Sequence, residues 1–189
     1  MRMRNRGDMR LLPAALFGLL LVLFFAIPVS ARAHDRNNPH ADMSLANQVR
    51  HQLVMLPYYG VFDNLQFEIQ DDGTVVLSGS VVRPMLRSDA VYAIRKLTGD
   101  GKVVDKIEVL PLSPFDGRLR IALYRTIFGN VQLDRYALGA VPSIHIIVHN
   151  GNVELTGVVT NEADKNVAGI RANLVPGVFG VTNSLKVEK

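Results

Sequence analysis

The sequence predicts an α+β protein made of two tandem αββαβ units, each with two helices packed on one face of a three-stranded mixed sheet. Three observations carry this. The chain repeats itself at a spacing of 78 residues. Each copy holds two short runs that alternate apolar and polar around a turn, and each such pair lies between two stretches of helical periodicity.

The spacing of 78 places Gly73 on Gly151, Val75 on Val153, Leu77 on Leu155, Ser78 on Thr156, Gly79 on Gly157 and Val81 on Val159. It continues without a gap through Arg87 on Lys165, Ala90 on Ala168, Gly99 on Gly177, Val103 on Val181, Ile107 on Leu185 and Val109 on Val187. Upstream the spacing becomes 79, so that Leu65, Phe67 and Ile69 fall on Ile144, Ile146 and Val148. The difference of one residue belongs in the turn before Gly73 and Gly151, where insertions cost least.

Each copy opens with an amphipathic helix, marked by Leu45, Val49 and Leu53 in the first and Leu119, Leu123 and Ile127 in the second. "LQFEIQ" and "IHIIVH" then alternate with period two; a turn at "DDG" or "NG" leads into "TVVLSGSV" or "NVELTGVV". The second helix starts at Pro84 and stops at Gly99 in one copy. In the other it starts at Asn161, three residues ahead of Asp164, and stops at Pro176-Gly177. "KVVDKIEVL" and "GVTNSLKVE" supply the last strands, reached by a right-handed crossover that lays the helix on one face. The leading helix covers that same face, because the other alternates polar. Between the units, "PLSPFDG" is short, and Ser113, Pro114 and Asp116 are placed to cap the second unit's first helix. Units of about 70 residues are marginally stable alone, which favours a two-unit body with restricted relative motion. Gly73 and Gly151 are read as turn glycines. Gly79 and Gly157 are read as strand glycines at a bulge or a close backbone approach under a covering helix.

Ahead of the repeat, Arg2, Arg4, Arg6 and Arg10 precede the apolar run "LLPAALFGLLLVLFFAIPV", and Ala31 and Ala33 have the A-x-A spacing of a cleavage site. A signal peptide over residues 1–33 is expected, with cleavage after Ala33 and delivery outside the cytoplasm. An uncleaved anchor through residues 11–29 is the alternative. Residues 34–41 then form a disordered lead-in, 42–112 the first domain and 113–189 the second. Of 21 basic and 17 acidic residues the leader takes five and one, leaving 16 of each, so the basic character of the whole chain does not point to nucleic acid. Cysteine is absent, which excludes a disulfide scaffold and an acylated N-terminal cysteine.

The stretches "NGNVELTGVV" and "PGVFGVTNSLKV" resemble the BON domain, a bacterial envelope module with a "DG-x-V-x-L-x-G-x-V" hairpin and a "GV-x-x-V-x-N-x-L-x-V" ending. The first copy departs from that ending, with Asp105 where the second has Asn183. The two copies cover nearly all of the chain beyond the leader, in the manner of osmotically inducible periplasmic proteins. The resemblance implies a non-enzymatic periplasmic role under envelope or osmotic stress, with phospholipid or a membrane surface as partner.

Catalytic chemistry finds little support. None of the serines sits in a nucleophile motif. His145 and His149, four apart on a strand, lie about 13 Å apart along one face and cannot share a metal; they are read as exposed-face residues. His34, with Asp35 and His40 nearby, is read as part of the polar lead-in. "GVFG" at 177–180 has the G-x-x-G form of an RNA-binding loop, but Val175, Pro176 and Val181 replace the basic neighbours such a loop needs. No cofactor and no metal are expected. What remains is surface. Tyr58, Tyr59, Phe62, Phe128 and Tyr136 collect between leading helix and hairpin, where tyrosine suits a membrane interface or a protein partner. Arg118, Arg120 and Arg125 are expected beside anionic headgroups. A protein-interaction or chaperone-like role, through these aromatics or a sheet edge, is the alternative.

Overall fold

The computed structural model describes residues 39–188. The leader and most of the lead-in lie outside them. The first unit runs α1 (Pro39–Val54), β1 (Asn64–Ile69), β2 (Val75–Val81), α2 (Pro84–Thr98) and β3 (Val103–Val109). The second runs α3 (Pro114–Phe128), β4 (Ile144–His149), β5 (Asn152–Val159), α4 (Glu162–Asn173), β6 (Gly180–Asn183) and β7 (Lys186–Val187). Helix α1 begins inside the segment expected to be disordered. Among the described residues no helix is long and apolar enough to cross a membrane.

The αββαβ order holds in both copies. β1 pairs antiparallel with β2 and β2 parallel with β3; β4 pairs antiparallel with β5 and β5 parallel with β6. The one-residue difference sits in the hairpin loops. Asp71–Gly73 closes the first, with Gln70 N–H bonded to Thr74 O at 2.8 Å. Asn150-Gly151 closes the second, with φ of 51° and 78°, the double left-handed conformation of a type I′ turn.

Helix signals are placed as the sequence indicates. Ser113 Oγ accepts from the Asp116 N–H at 3.1 Å with Pro114 in the first turn, and Asn161 Oδ1 accepts from the Asp164 N–H at 2.8 Å. Helix α4 ends at Asn173, ahead of Pro176, with Leu174 as its C-cap still at helical angles (φ −79°, ψ −9°). Each unit buries its own core. Val49, Leu53, Leu77, Leu86, Ala90 and Ile94 form one; Leu119, Leu123, Ile127, Ile144, Ile146 and Leu155 belong to the other.

Three expectations need correcting. The last strand of the second unit is broken, with β6 and β7 both pairing β5 on the same side. At the break, Asn183 turns inward: its Nδ2 donates to Lys165 O at 2.7 Å and its Oδ1 accepts from the Leu185 N–H at 3.3 Å. Asp105 does the same work with other chemistry, accepting from the Ile107 N–H at 2.9 Å and binding Arg87 Nε at 2.8 Å. Second, Gly79 and Gly157 do mark close approaches, but to the partner strand and not to a helix. A Cβ on either would lie 2.0 Å from a carbonyl oxygen, that of Asn64 or Ser143. Third, the polar-alternating faces are not free: Val76, His145 and Ile147 on them are all buried.

Candidate functional site

The burial of His145 follows from the junction between the units, which segment 57–63 builds. Val61 O accepts from the Ile146 N–H at 2.7 Å, so the first unit's loop caps the edge of β4. Tyr59 stacks on the His145 ring with centroids 5.5 Å apart, and Phe62 meets Tyr124 edge-on at 6.3 Å. His145 Nδ1 lies 3.3 Å from Gly60 O. Asp63, also buried, accepts from the Val82 and Gly60 N–H groups at 2.8 and 3.2 Å. His145, expected at an exposed face, is therefore only 9% exposed.

The junction's ionisable groups are displaced by burial. Desolvation holds the His145 pKa below its ordinary value, although Gly60 and Asp63 oppose it. It raises the Asp63 carboxyl against the two backbone donors and the charges of Arg83 and His145. It also raises the Tyr59 phenol, whose oxygen accepts from the Leu65 N–H at 3.3 Å. His149 stays exposed, with Nδ1 3.8 Å from a Glu108 carboxylate oxygen.

The sequence-predicted surface residues divide. Tyr58 is exposed with φ of 67°, and the Arg83 guanidinium lies 4.9 Å from its ring centre. Tyr59 and Phe62 are half-buried at the junction, and Phe128 and Tyr136 are interior. Tyr136 joins a knot about Asp164, which is 1% exposed. That carboxylate accepts from Tyr136 Oη and Gln132 Nε2, both at 2.5 Å, from Asn161 Nδ2 at 3.0 Å and from Arg135. Burial works against its ionisation, but the Tyr136, Gln132 and Arg135 donors outweigh it and hold the carboxyl below the usual range.

Arg120 is no headgroup ligand. It is 6% exposed, and its Nη2 donates to Val148 O at 2.7 Å. One turn earlier on α3, Asp116 accepts from the Asn150 and Gly151 N–H groups at 3.0 and 2.9 Å. Desolvation lowers the Arg120 pKa, against the charges of Asp116 and Asp63. Together Asp116 and Arg120 clamp the tip of the second hairpin to α3.

Arg118 and Arg125 remain on the solvent side of α3. With Ile121, which is 51% exposed, they occupy positions i, i+3 and i+7, a single stripe along the helix. At its N-terminal end Phe115 stacks on Phe179 with centroids 6.0 Å apart, and Phe179 is 74% exposed. Leu112, three residues earlier in the chain, is also exposed. Phe115, Ile121 and Phe179 are surface residues that sequence reasoning missed. The heptad-like spacing of 118, 121 and 125 was a signal for the stripe; nothing local joins Phe115 to Phe179.

A concavity of about 940 Å³ lies between the units. Its walls are α1, the edge of β1 and the outer face of the second sheet, with Arg50, Phe67, His145, Glu154, Thr156 and Lys186 among the lining residues. Thr156 Oγ1 is buried there without a hydrogen-bond partner. Among the described residues no group of His, Asp or Glu is arranged to hold a metal.

Comparison with known proteins agrees with the repeat. The family model "BON domain" matches residues 41–111 and 132–189. No curated protein matches. Among solved structures the chain is similar to the C-terminal domain of CdsD, a structural protein of the type III secretion system of Chlamydia trachomatis, at 11% identity and a TM-score of 0.31, covering 78% of this chain and 98% of that one. A second CdsD structure gives 17% identity and a TM-score of 0.30, over 78% and 65% of the two chains. With the αββαβ order present twice and the family model matching both copies, the chain belongs to the BON domain family.

Proposed function

We propose that the protein is a non-enzymatic, exported envelope protein that binds anionic phospholipid surfaces peripherally, in a role tied to envelope or osmotic stress. The observation that carries this is the α3 stripe, with two arginines flanking a half-exposed isoleucine and leading into the exposed Phe115–Phe179 pair. An amphipathic surface of this kind inserts its apolar groups shallowly while its cations meet phosphates, and attachment is reversible and salt-sensitive. Export rests on the leader, and membership of the BON family supports the envelope setting.

The test is co-sedimentation of the compact unit Asp35–Lys189 with phosphatidylglycerol or phosphatidylcholine vesicles. Binding is expected to the anionic vesicles at low salt. Each of Arg118→Ala and Arg125→Ala should weaken it about fivefold, from a contribution of about 1 kcal/mol per basic residue near the surface. Failure to sediment with phosphatidylglycerol at low salt would sink the reading.

A further inference from the structure

We propose that the open edge of β1 is a docking site for an extended polypeptide segment of a partner protein, taken up as an added strand in the cleft between the units. This goes beyond the lipid reading and uses a different surface.

The direction of the backbone groups comes from the hairpin. Gln70 pairs with Thr74, so the even residues of β1 face β2, and Leu65, Phe67 and Ile69 turn their N–H and C=O groups away from it. The Leu65 N–H is occupied by Tyr59 Oη. Among the described residues, the outward backbone groups of Phe67 and Ile69 have no partner.

The repeat shows what such an edge accepts. Phe67 and Ile69 correspond to Ile146 and Val148 of β4. There the Ile146 N–H is bonded to Val61 O and the Val148 carbonyl to Arg120, both at 2.7 Å. The second unit's edge is thus closed by backbone from outside its own sheet and by a cation. Among the described residues the first unit's equivalent edge has neither, and exposed sheet edges are otherwise covered or blunted.

The surroundings suit an extended chain. Asn64–Phe67 of the edge line the cleft, with α1 on one side and the second sheet's outer face on the other, and Ile69 continues the edge beyond it, a helix-beside-edge groove of the kind in which peptides add to sheets. A volume of about 940 Å³ matches sites for drug-sized ligands, which admits a short strand and no folded module. Arg50 on the α1 wall favours an acidic side chain on the strand, while the opposite wall carries one charge of each sign, Glu154 and Lys186.

The test uses the compact unit Asp35–Lys189, labelled for NMR, and an end-blocked octapeptide alternating valine with threonine and glutamate. Saturating binding should shift the Phe67 and Ile69 amides and slow their hydrogen exchange. A version N-methylated on alternate amides should bind about tenfold more weakly or worse, because it keeps the side chains and loses the strand bonds. Ile69→Pro should abolish binding of the unmethylated peptide, since an edge strand tolerates proline where its N–H faces away from the sheet. The methylated arm still decides if that variant unfolds. Absence of binding, equal binding of both peptides, or protection of Phe67 and Ile69 by phosphatidylglycerol vesicles in place of peptide would overturn the proposal.

Discussion

Gly79 and Gly157 have φ of 101° and 116°, a region where an L-residue costs roughly 1–2 kcal/mol before any clash is counted. The carbonyl oxygen 2.0 Å from the missing Cβ adds the clash. Gly79→Ala and Gly157→Ala should each lose at least about 2 kcal/mol in denaturant unfolding, while Gly73→Ala, which meets nothing within 4 Å, loses less. The junction residues act through protons. His145 has a depressed pKa, so the unfolded chain takes up its proton first as pH falls, and stability drops below about pH 6.5. Asp63 has a raised pKa and acts oppositely: the folded state binds its proton first, which offsets part of the loss as pH approaches the carboxylate range. Asp164 has a depressed pKa, and its contribution is held above about pH 4 and lost as pH falls through the lower folded value. Urea titrations across pH 2 to 8 should show the slope at about pH 6.5 vanish in His145→Phe, and Asp164→Asn should remove the loss below about pH 4.

Helix α3 has two faces with separate duties. Asp116 and Arg120 point inward and hold the second hairpin; Arg118 and Arg125 face water. Arg120→Met should cost roughly 2 kcal/mol, by leaving the Val148 carbonyl without its donor, and leave vesicle affinity of the folded protein unchanged. Arg118→Ala should do the reverse, and thermal melts beside sedimentation distinguish the two. Three arginines within eight residues look alike in sequence. Helical geometry alone puts Arg118 and Arg125 on one stripe, but what Arg120 reaches depends on where the β4–β5 turn lies, 28 residues away. The last strands teach a similar lesson. Asp105 and Asn183 differ in charge, yet each bonds the amide two residues on and ties its strand to the preceding helix. The departure from the family pattern is compensated by Arg87.

At the scale of the whole molecule, the units share a junction that neither could form alone. Val61 bonds β4, Tyr59 covers His145, and Phe62 packs against Tyr124. Tyr59→Ala with Phe62→Ala should weaken that contact by about 2–4 kcal/mol of lost apolar burial. Hydrogen exchange at the Ile146 amide should then accelerate, while amides of the first unit's core strand β2 change little. Faster exchange spread evenly over both units would argue against a local junction.

The sequence by itself determined the repeat, the αββαβ order, the turn positions, the helix caps and the family, because these rest on periodicities and local chemistry read within a few residues. It also supplied the aromatic clusters, without saying which way they face. Only the tertiary structure decided that His145 and Arg120 are buried, that Asp164 gathers a knot, that Phe115 meets Phe179, and that among the described residues the edge of β4 is closed while that of β1 has no strand or loop on it. Those depend on where one unit lies against the other and on groups brought together from distant parts of the chain. Alternation within a strand reports which residues share a face; what covers that face is settled by docking.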